Sequence, residues 1–520
     1  MGQGAFEKAQ AHISVLEALF RARDAKGGKT PILEDQDRKP ISYDEIILAG
    51  FALGGALKKL TRLRENVGVM LPTSNACTIT FFALHMVGRV PAMLNFTAGL
   101  MNLKAACEAG RVRRILTSRK FVMMAKLETM VAELHKVAAI TYLEDVRAKL
   151  SPIDKLTALY KSRNPRAFAY QPDPDDSGVV LFTSGSYGAP RGASLSHSNL
   201  VSNVAQCYAH VPFDPAWSFF NPLPMFHCLG LTGGTLLPLF TGHKSFLYPS
   251  PLHFKEIPKL VRSAGANVML ATDTFAQQYA RCASDEDLSC LEIIVCGAER
   301  VKDETHDIYK TRFGVEVLEG YGATEASPVI AVNQPADNRL GTVGKLLPDI
   351  EYRLEPVPGI AHGARLHVRG PNVMRGYLDP NKPGGVDLLP DGWHDTGDVV
   401  EFCEDGFMRI LGRVKRFAKI GGEMVSLNAV EAYAQQAWPH HTHAAVSMPD
   451  TRKGERLVLF TDNPSAEAGE LLAWAQKNGA AELAIPRKVV RVSEIPVLGS
   501  GKTDYVTLQK MAEESLAEAA

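Results

Sequence analysis

The segment at residues 182–192, FTSGSYGAPRG, combines hydroxyl side chains with glycines in a pattern that suits anion binding. Thr183, Ser184 and Ser186 can donate hydroxyl hydrogens, and the glycines let the backbone wrap closely around a negative group. It follows a predicted strand and precedes a predicted helix that begins near Ser196. No Lys followed by Ser or Thr closes the segment, so it differs from the loop of switch GTPases and motor ATPases. We expect a polyphosphate-binding loop, with a flexible surface loop as the alternative.

Four further segments place charged or aromatic residues beside glycines. They are EGYGATEASP at 319–328, GWHDTGDV at 392–399, ILGRVKRFAKIGGE at 410–423 and LGSGKTDY at 498–505. Taken alone, Glu325 is typical of a helix start and Lys502 of a surface loop, while Tyr321 suits a turn or a core. Asp398 is a short carboxylate at the expected start of a strand, where it can accept hydrogen bonds from two hydroxyls.

Short apolar runs alternate with segments of helical period from about residue 65 to residue 295. This alternation is typical of parallel sheets covered by helices. Strands are predicted at 67–71, 114–116, 139–143, 179–182, 268–270 and 291–295, and Ser74, Ser196 and Ser426 are predicted helix caps. The sequence therefore predicts an α/β fold whose large N-terminal domain contains doubly wound sheets.

The character of the sequence changes after about residue 340, where Gly and Pro become frequent and alternating runs such as 365–369 appear. This predicts a small β-rich subdomain at about 340–412, within a large domain spanning 1–412. From residue 417 strands and helices alternate again. We therefore expect a small α+β C-terminal domain at 417–520 after a hinge at 413–416.

Composition excludes several classes of protein. The 520 residues hold 57 Lys and Arg against 57 Asp and Glu, so no overall charge attracts the chain to nucleic acid or to an anionic membrane. Hydrophobic residues make up 46% and charged residues 22%, as in folded proteins. The eight cysteines form no CxxC pair, which disfavours a zinc site or a disulfide scaffold. No apolar stretch reaches the ~20 residues of a transmembrane helix, and we expect a cytosolic protein.

The five glycine-containing segments, in this order, resemble the signatures of the adenylate-forming enzymes, which include acyl-CoA synthetases, amino-acid-activating modules and luciferases. The likeness extends from about residue 30 to residue 505. Within that family, PLPMFHCLGLTGGTLLPLFTGHKSFLYPSPLHF at 222–254 and RFAKIGGEMVSL at 416–427 are similar to the acyl-[acyl-carrier-protein] synthetase domain of bifunctional 2-acylglycerophosphoethanolamine acyltransferase/acyl-ACP synthetases. The resemblance implies the adenylate-forming fold with a mobile C-terminal domain.

The resemblance also implies a site for ATP and Mg²⁺. The implied nucleotide-binding residues are Thr183, Ser184, Gly185, Ser186, Tyr187, Gly188, Arg191, Gly192, Gly297, Ala298, Glu299, Glu319, Gly320, Tyr321, Gly322, Thr324, Asp398, Arg413 and Lys502. Among them, residues 183–188 would enclose the departing pyrophosphate. Thr183 and Glu325 would hold Mg²⁺, Tyr321 would stack on adenine, and Asp398 would fix the ribose. The catalytic residues implied are Lys502, Glu325, Thr183 and His227.

Further roles follow from the same resemblance. Lys502 would bridge the acyl carboxylate and the α-phosphate during adenylation, and Lys415 occupies the hinge position. Gly421 and Gly422 resemble the passage for a phosphopantetheine thiol. His227 resembles the gate between the phosphate site and the acyl pocket, with a satisfied core histidine as the alternative.

Two residues of the phosphate loop depart from the family pattern. Tyr187 replaces the commoner Thr, and Arg191 replaces the commoner Lys. Arginine keeps the positive charge but binds phosphate as a planar fork. We therefore expect the geometry of phosphate binding at Arg191 to differ from that of a lysine.

We expect a ligase that uses ATP and Mg²⁺ to convert a fatty acid to acyl-AMP and then transfers the acyl group to the phosphopantetheine thiol of acyl carrier protein. The carrier protein is expected to dock on cations of the small domain such as Lys453, Arg456 and Lys488. Free CoA as the acceptor is the first alternative, and a non-catalytic lipid-binding or regulatory protein is the second. No nucleic-acid partner is expected. The chain length of the fatty acid, peripheral association with the inner membrane and an acyltransferase partner are left open.

Overall fold

The computed structural model describes residues 4–184, 190–360, 362–379, 385–420, 423–450, 454–478, 482–498 and 502–517. The α-helices are α1 (Lys8–Ala11), α2 (Val15–Lys26), α3 (Tyr43–Lys58), α4 (Asn75–Met86), α5 (Leu100–Ala109), α6 (Arg119–Met124), α7 (Glu128–Leu134), α8 (Leu143–Ala148), α9 (Pro152–Arg163), α10 (Pro165–Phe168), α11 (His197–His210), α12 (Leu237–Thr241), α13 (Ile257–Ala264), α14 (Asp273–Cys282), α15 (Asp303–Ile308), α16 (Leu427–Ala437), α17 (Ala468–Asn478) and α18 (Tyr505–Ala517). Segments Leu229–Leu236 and Tyr309–Phe313 are π-helical, and single 3₁₀ turns lie at Thr324–Ala326, Pro390–Gly392, Val414–Arg416 and Glu482–Ala484.

The strands are β1 (Pro31–Asp35), β2 (Ile41–Ser42), β3 (Asn66–Val69), β4 (Val90–Met93), β5 (Arg114–Thr117), β6 (Ala139–Tyr142), β7 (Ser177–Ser184), β8 (Pro190–Ser196), β9 (Phe219–Asn221), β10 (Ser245–Leu247), β11 (Val268–Ala271), β12 (Ile293–Cys296), β13 (Glu316–Gly322), β14 (Val329–Val332), β15 (Lys345–Leu346), β16 (Glu351–Glu355), β17 (Ala364–Arg369), β18 (Gly376–Leu378), β19 (Val386–Leu388), β20 (His394–Phe402), β21 (Met408–Arg413), β22 (Phe417–Ile420), β23 (Glu423–Ser426), β24 (His443–Asp450), β25 (Gly454–Thr461) and β26 (Lys488–Arg491).

The chain folds as two compact units. The first lies within residues 1–351 and 369–394, and the second within residues 352–368 and 395–520. The four-stranded sheet β16-β17-β20-β21 falls in the second unit, whereas β18 and β19 join a sheet of the first. The domain boundaries drawn from the sequence, with a hinge at 413–416, stay a prediction.

The first unit contains two large sheets. One has the order β15-β14-β13-β12-β11-β9-β10-β1-β2 and the other the order β19-β18-β8-β7-β4-β3-β5-β6. Strands β9 to β13 run parallel, as do β3 to β7, with helices between them in the sequence. The strands predicted at 67–71, 114–116, 139–143, 179–182, 268–270 and 291–295 are β3, β5, β6, β7, β11 and β12. The predicted α/β fold class is confirmed.

Three helix starts follow directly from local sequence. The Ser74 hydroxyl accepts a hydrogen bond from the Cys77 N–H, the Ser196 hydroxyl from the Asn199 N–H, and the Ser426 hydroxyl from the Ala429 N–H. Each bond satisfies one of the N–H groups left open at a helix N-terminus. These three predicted caps are confirmed.

The glycine-containing segment at 182–192 does not lead straight into a helix. Instead, Pro190–Ser196 forms β8, which pairs antiparallel with β7 so that Thr183 lies opposite Arg191. Residues of β8 such as Gly192 and Ala193 have low strand propensity. The local sequence therefore does not predict a strand at this position. The described residues of this segment therefore belong to two paired antiparallel strands, and the helix capped by Ser196 begins only after β8.

The small sheet of the second unit is covered by helices on both faces. Its order is β23-β22-β25-β24, with β26 beside β25. Side chains alternate along β25, so Leu457 and Leu459 pack with α16 and α17, whereas Val458 and Phe460 pack with α18. No helix within the described residues is long and apolar enough to cross a membrane.

Two buried histidines of the first unit face each other. The rings of His85 on α4 and His197 on α11 lie 4.9 Å apart between centroids, and the His197 Nδ1 accepts a hydrogen bond from the Val15 N–H at 3.4 Å. Within the described residues the buried His85 Nε2 meets no hydrogen-bond partner. Burial lowers the pKa of His85 well below its ordinary value and lowers the pKa of His197 to about 4.

These histidines make stability depend on pH. The folded-state pKa of His197 lies below the unfolded value of 6.5, so its contribution is complete above pH 6.5 and is lost as the pH falls toward 4. We expect His197 by itself to lower the free energy of unfolding in urea by about 2 kcal/mol between pH 7.5 and pH 5. His197→Asn, which keeps a hydrogen-bond acceptor, should remove the part of the pH dependence that His197 contributes, while His135→Asn at an exposed position should leave the dependence unchanged. Equal slopes for the two variants would contradict the assignment.

Candidate active site

Strand β18 brings three polar groups of the first unit together. The Tyr377 hydroxyl on β18 donates a hydrogen bond to the Glu325 Oε1 at 2.6 Å. The Arg191 guanidinium lies 3.5 Å from the centroid of the Tyr377 ring, which is close enough for a cation–π contact. Tyr377 stands opposite Ala193 on β8, which explains why it reaches the hairpin. Tyr377 therefore connects Glu325 to Arg191 on β8, one of the residues predicted to bind phosphate.

The hairpin β7–β8 positions the predicted phosphate-binding residues. Thr183 and Arg191 are opposite each other near its end. A side chain at Gly192 would come within 3.1 Å of the Leu378 Cδ1, so a glycine allows β8 and β18 to approach. The predicted phosphate-loop residues Gly185, Ser186, Tyr187 and Gly188, with the side chain of Ser184, lie outside the described residues.

Glu325 also lies near the start of the π-helical segment 229–236. Burial raises the pKa of the Cys228 thiol to about 12, and the negative charge of Glu325 adds to this rise. His227, one residue earlier, is half-buried, and its ring lies 4.7 Å from that of Phe226. The segment that carries His227 is therefore close to Glu325, and the gating role of His227 stays a prediction.

The predicted adenine-binding residues follow two neighbouring parallel strands. Gly297 and Ala298 come directly after β12, while Gly320 and the buried Tyr321 are near the end of β13. A side chain at Gly297 would lie 3.3 Å from the Leu229 Cδ2 and 3.6 Å from the Gly320 carbonyl oxygen. Gly297 after β12 and Gly320 near the end of β13 thus offer bare backbone of the kind that a flat ring can approach.

Other residues predicted to bind nucleotide are engaged within the first unit. The Glu299 Oε2 accepts hydrogen bonds from the Thr274 N–H and hydroxyl, at 3.1 and 2.9 Å. The buried Glu319 accepts from the Val301 N–H at 3.3 Å and lies 3.4 Å from the His306 Nε2. Both carboxylates hold loops in place. A glycine is required at position 322, because a side chain there would lie 2.2 Å from the Pro328 carbonyl oxygen. Thr324 begins the 3₁₀ turn that carries Glu325.

In the second unit, the buried carboxylate of Asp398 pairs with the exposed guanidinium of Arg413 on the neighbouring strand. The Arg413 Nε donates to the Asp398 Oδ1 at 2.8 Å, and the Arg413 Nη2 donates to the Thr396 carbonyl at 3.0 Å. Asp398 lies in the middle of β20 and not at a strand start as predicted, because β20 already begins at His394. Arg413 orients the carboxylate and places its own guanidinium beside it.

Two of the remaining predicted residues of the second unit, Lys415 and Lys502, lie within the described part of the chain. Lys415 lies in the single 3₁₀ turn Val414–Arg416. The side chain of Lys502 is exposed. The backbone carbonyl oxygen of Lys502 accepts a hydrogen bond from the Leu498 N–H at 2.7 Å. Gly421 and Gly422 lie outside the described residues. The hinge, catalytic and thiol-passage roles stay predictions.

An apolar cavity of about 80 Å³ lies in the first unit. It is lined by Asn203, Val204, Cys207, Val211, Phe213, Trp217, Phe219, Leu229, Thr232, Gly233, Leu237, Val268, Leu270, Ile293, Val295, Leu318, Val329 and Val332. Asn203 turns its polar atoms away, since its side-chain amide exchanges hydrogen bonds of 2.8 and 3.0 Å with the backbone of Val329. The walls of the cavity are therefore hydrocarbon.

The cavity follows the direction of β12. At one end of the cavity, Leu229 lies beside Gly297, which comes just after β12. At the other end, the Trp217 Nε1–H donates a hydrogen bond to Glu292, which comes just before β12. The five residue steps from Glu292 to Gly297 span about 16 Å at the rise of a strand. The cavity therefore lies beside β12, between Glu292 and the Gly297 turn.

Tyr377 and the cavity could not be identified from the sequence. A tyrosine in the short run GYL carries no pattern that predicts its contacts with Glu325 and Arg191, which are 52 and 186 residues away in the chain. The cavity is lined by residues scattered from 203 to 332. The only usable signal was the pair Gly233-Gly234 in an apolar run, since glycines there leave space.

Comparison with known proteins gives a consistent result. Residues 20–378 match the family described as "AMP-binding enzyme". The medium-chain fatty-acid–CoA ligase of Escherichia coli (strain K12) is 26% identical over 408 residues, which cover 76% of this chain and 70% of that protein. A feruloyl-CoA synthase of Amycolatopsis sp is 29% identical over 476 residues, 89% of this chain and 92% of that protein.

Solved structures show the same fold. ATP-bound MatB from Rhodopseudomonas palustris superposes with a TM-score of 0.82 at 22% sequence identity, over 96% of this chain and 99% of that chain. The likeness covers the described parts of both compact units.

Proposed function

Because the chain belongs to the family of AMP-binding enzymes, we propose that it activates a fatty acid with ATP and passes the acyl group to the phosphopantetheine thiol of acyl carrier protein. The first step forms a bond between the acyl carboxylate and the α-phosphorus, and pyrophosphate leaves. In the second step the thiol displaces AMP from the acyl carbon. The thioester is thus formed at the cost of one anhydride bond of ATP.

The apolar cavity is the observation on which we base a fatty acid as the substrate. A hydrocarbon chain buried there gains the free energy of apolar burial, while its carboxylate would emerge beside Gly297. A small polar acid would make few apolar contacts with the residues that line this cavity. The name of the medium-chain relative, a fatty-acid–CoA ligase, supports the same substrate class.

The first-unit polar groups suit the phosphates and Mg²⁺. Within the described residues no three His, Cys, Asp or Glu side chains converge on a metal position. A site of one or two protein oxygens completed by phosphate and water oxygens is nevertheless what Mg²⁺ prefers, and Thr183 and Glu325 offer such oxygens. When bound, the ion would offset phosphate charge. Tyr377 would orient Glu325, and Arg191 would contact phosphate oxygens.

Three residues of the second unit complete the proposal. Asp398, held by Arg413, would accept the ribose hydroxyls, and Arg413 would bind nucleotide oxygens. Lys502 would bridge the acyl carboxylate and the α-phosphate. Its positive charge would offset the repulsion between these two negative groups. No side-chain nucleophile is needed, because the carboxylate attacks phosphorus directly.

Gly233 provides a test of the acyl cavity. A side chain there would lie 3.1 Å from both the Leu229 Cδ1 and the Leu270 Cδ2, so Gly233→Val should narrow the cavity. We expect kcat/KM for a sixteen-carbon fatty acid to fall by about 10- to 100-fold, with a smaller loss for an eight-carbon acid. Gly55→Val is the matched control, because that helical glycine faces open space. An unchanged preference in Gly233→Val would contradict the assignment of the cavity.

The acceptor needs a separate test, since the names of both relatives described above, a fatty-acid–CoA ligase and a feruloyl-CoA synthase, refer to CoA. Free CoA is therefore the second candidate. The structure narrows the cations that a carrier protein could contact: Arg416 pairs with Glu431 at 2.6 Å, and the Lys488 Nζ donates to the Ser515 carbonyl at 2.7 Å. Lys453 lies outside the described residues, whereas Lys419, Arg456 and Arg487 are exposed.

We expect the purified protein to form thioester faster with acyl carrier protein than with CoA when each is offered with ATP and a fatty acid. Lys419→Glu/Arg456→Glu/Arg487→Glu should raise the KM for carrier protein by about 10-fold or more and leave acyl-AMP formation unchanged, since steering charges act on association. Faster transfer to CoA, with no effect of the reversal on carrier protein, would establish the CoA-ligase alternative.

A further inference from the structure

Helix α9 presents apolar side chains to solvent. Ile153, Leu156 and Tyr160 are 74%, 65% and 63% exposed, and their spacing places them on one face of the helix. Phe168 on α10 extends this face, with its ring 5.2 Å from that of Tyr160. We refer to Ile153, Leu156, Tyr160 and Phe168 as the α9 ridge.

The α9 ridge is not needed to hold the helix. Ala158 is the residue of α9 that is buried, and α9 packs against α3. The start of α9 is fixed by a capping box between Ser151 and Asp154 and by an ion pair of 3.1 Å between Lys59 and Asp154. The apolar residues of the ridge therefore point outward from a helix that is already anchored.

Cations surround the α9 ridge. Residues 147–166 contain six Lys and Arg and one acid, Asp154, which is itself paired with Lys59. The ion pair between Lys59 and Asp154 joins the end of α3 to the start of α9. The chain at the end of α3 adds two further basic residues, Lys58 and Arg62. Seven of the surrounding cations form no ion pair with any described residue: Lys58, Arg62, Arg147, Lys149, Lys155, Lys161 and Arg163.

We propose that the α9 ridge and these cations form a docking surface for an anionic lipid bilayer. Aliphatic and aromatic side chains would enter the boundary between headgroups and acyl chains, while Lys and Arg would bind lipid phosphates around them. The balanced charge of the whole chain conceals this local excess. A symmetric contact with a second copy is disfavoured, because it would bring two sets of unpaired cations together.

The proposal is independent of the ligase reaction, because vesicle binding is measured with no fatty acid or ATP present. The full chain is mixed with phosphatidylcholine vesicles that either contain or lack phosphatidylglycerol, and the bound fraction is measured by flotation. We expect binding to the anionic vesicles only, weakening as salt is raised, since surface charge is screened within ~8 Å at physiological ionic strength. Equal binding to neutral vesicles, or none to anionic vesicles, would overturn the proposal.

Charge variants locate the surface. Each cation near an anionic bilayer strengthens binding roughly fivefold, so Lys155→Glu/Lys161→Glu/Arg163→Glu should weaken the vesicle partition coefficient by about 100-fold or more. The control Lys255→Glu/Arg281→Glu/Lys310→Glu makes the same change of charge at exposed positions elsewhere in the first unit. It should change the coefficient by less than about threefold. Equal losses in the two variants would overturn the assignment to α9.

Apolar variants test the ridge itself. Ile153→Gln/Leu156→Gln keeps good helix formers and should weaken vesicle binding by about 10-fold or more, whereas Leu252→Gln/Leu340→Gln, at exposed positions outside the ridge, should not. Thermal unfolding midpoints close to the parent confirm the fold of each variant. If the ridge variant binds vesicles normally but loses a dimer or an acidic protein partner, the surface serves that partner and the proposal fails.

Discussion

Replacing Lys502 with alanine is expected to reduce acyl-AMP formation by about 1,000-fold while leaving the transfer of supplied acyl-AMP to a thiol within a few-fold of the parent. The ammonium group is proposed to act only where charge develops between the carboxylate and the α-phosphate, so its loss raises the barrier of that step alone. The first step is measured as fatty-acid-dependent ATP–pyrophosphate exchange, and the second as thioester formed from synthetic acyl-AMP.

The structure favours a clean result for Lys502→Ala. The side chain is exposed, and the hydrogen bond from the Leu498 N–H is made to the backbone carbonyl, which alanine retains. This backbone hydrogen bond should therefore persist without the ammonium group. Lys510→Ala, at an exposed position on α18, is the matched control and should keep both steps. Similar losses in both half-reactions of Lys502→Ala, with an unchanged unfolding midpoint, would refute the separation of roles.

Glu325→Gln is expected to lower acyl-AMP formation by about 1,000-fold with a change in unfolding free energy below about 1 kcal/mol. The substitution removes the negative charge but keeps an oxygen that can accept the hydrogen bond from the Tyr377 hydroxyl, which is 2.6 Å away in the parent. The loss would therefore report the charge that is proposed to hold Mg²⁺. Raising Mg²⁺ in the exchange assay should restore little of the activity.

Tyr377→Phe gives the complementary comparison. It removes the hydrogen bond to Glu325 but keeps the carboxylate charge and the aromatic ring under Arg191. We expect a loss of about 10-fold, which corresponds to one hydrogen bond to a charged group. A larger loss in Tyr377→Phe than in Glu325→Gln would mean that Glu325 serves mainly to hold β18, and its proposed metal role would be wrong.

The order of elements and several of their boundaries followed from local sequence. Apolar residues recur with the period of a strand or a helix along the chain itself, so β3, β5, β6, β7, β11 and β12 could be predicted. The caps at Ser74, Ser196 and Ser426 depend on atoms three residues apart. The family resemblance was equally accessible, because its segments are contiguous and in order.

Contacts between distant residues could not be derived in this way. The pairing of β8 with β7 and β18 is a property of the sheet, and it alone brings Tyr377 to Glu325 and Arg191. The hydrogen bond from the Lys488 Nζ to the Ser515 carbonyl, which engages one cation of the expected docking surface, could not be predicted for the same reason.

Helix α9 shows the difference most plainly. An apolar stripe on a helix ordinarily predicts the face that packs against the core. In this chain Ala158 packs inward against α3, and Ile153, Leu156 and Tyr160 face solvent. Local periodicity determines that such a stripe exists. Which way it faces depends on the packing of α3 and on the ion pair between Lys59 and Asp154, 95 residues apart, and that information lies in the folded chain.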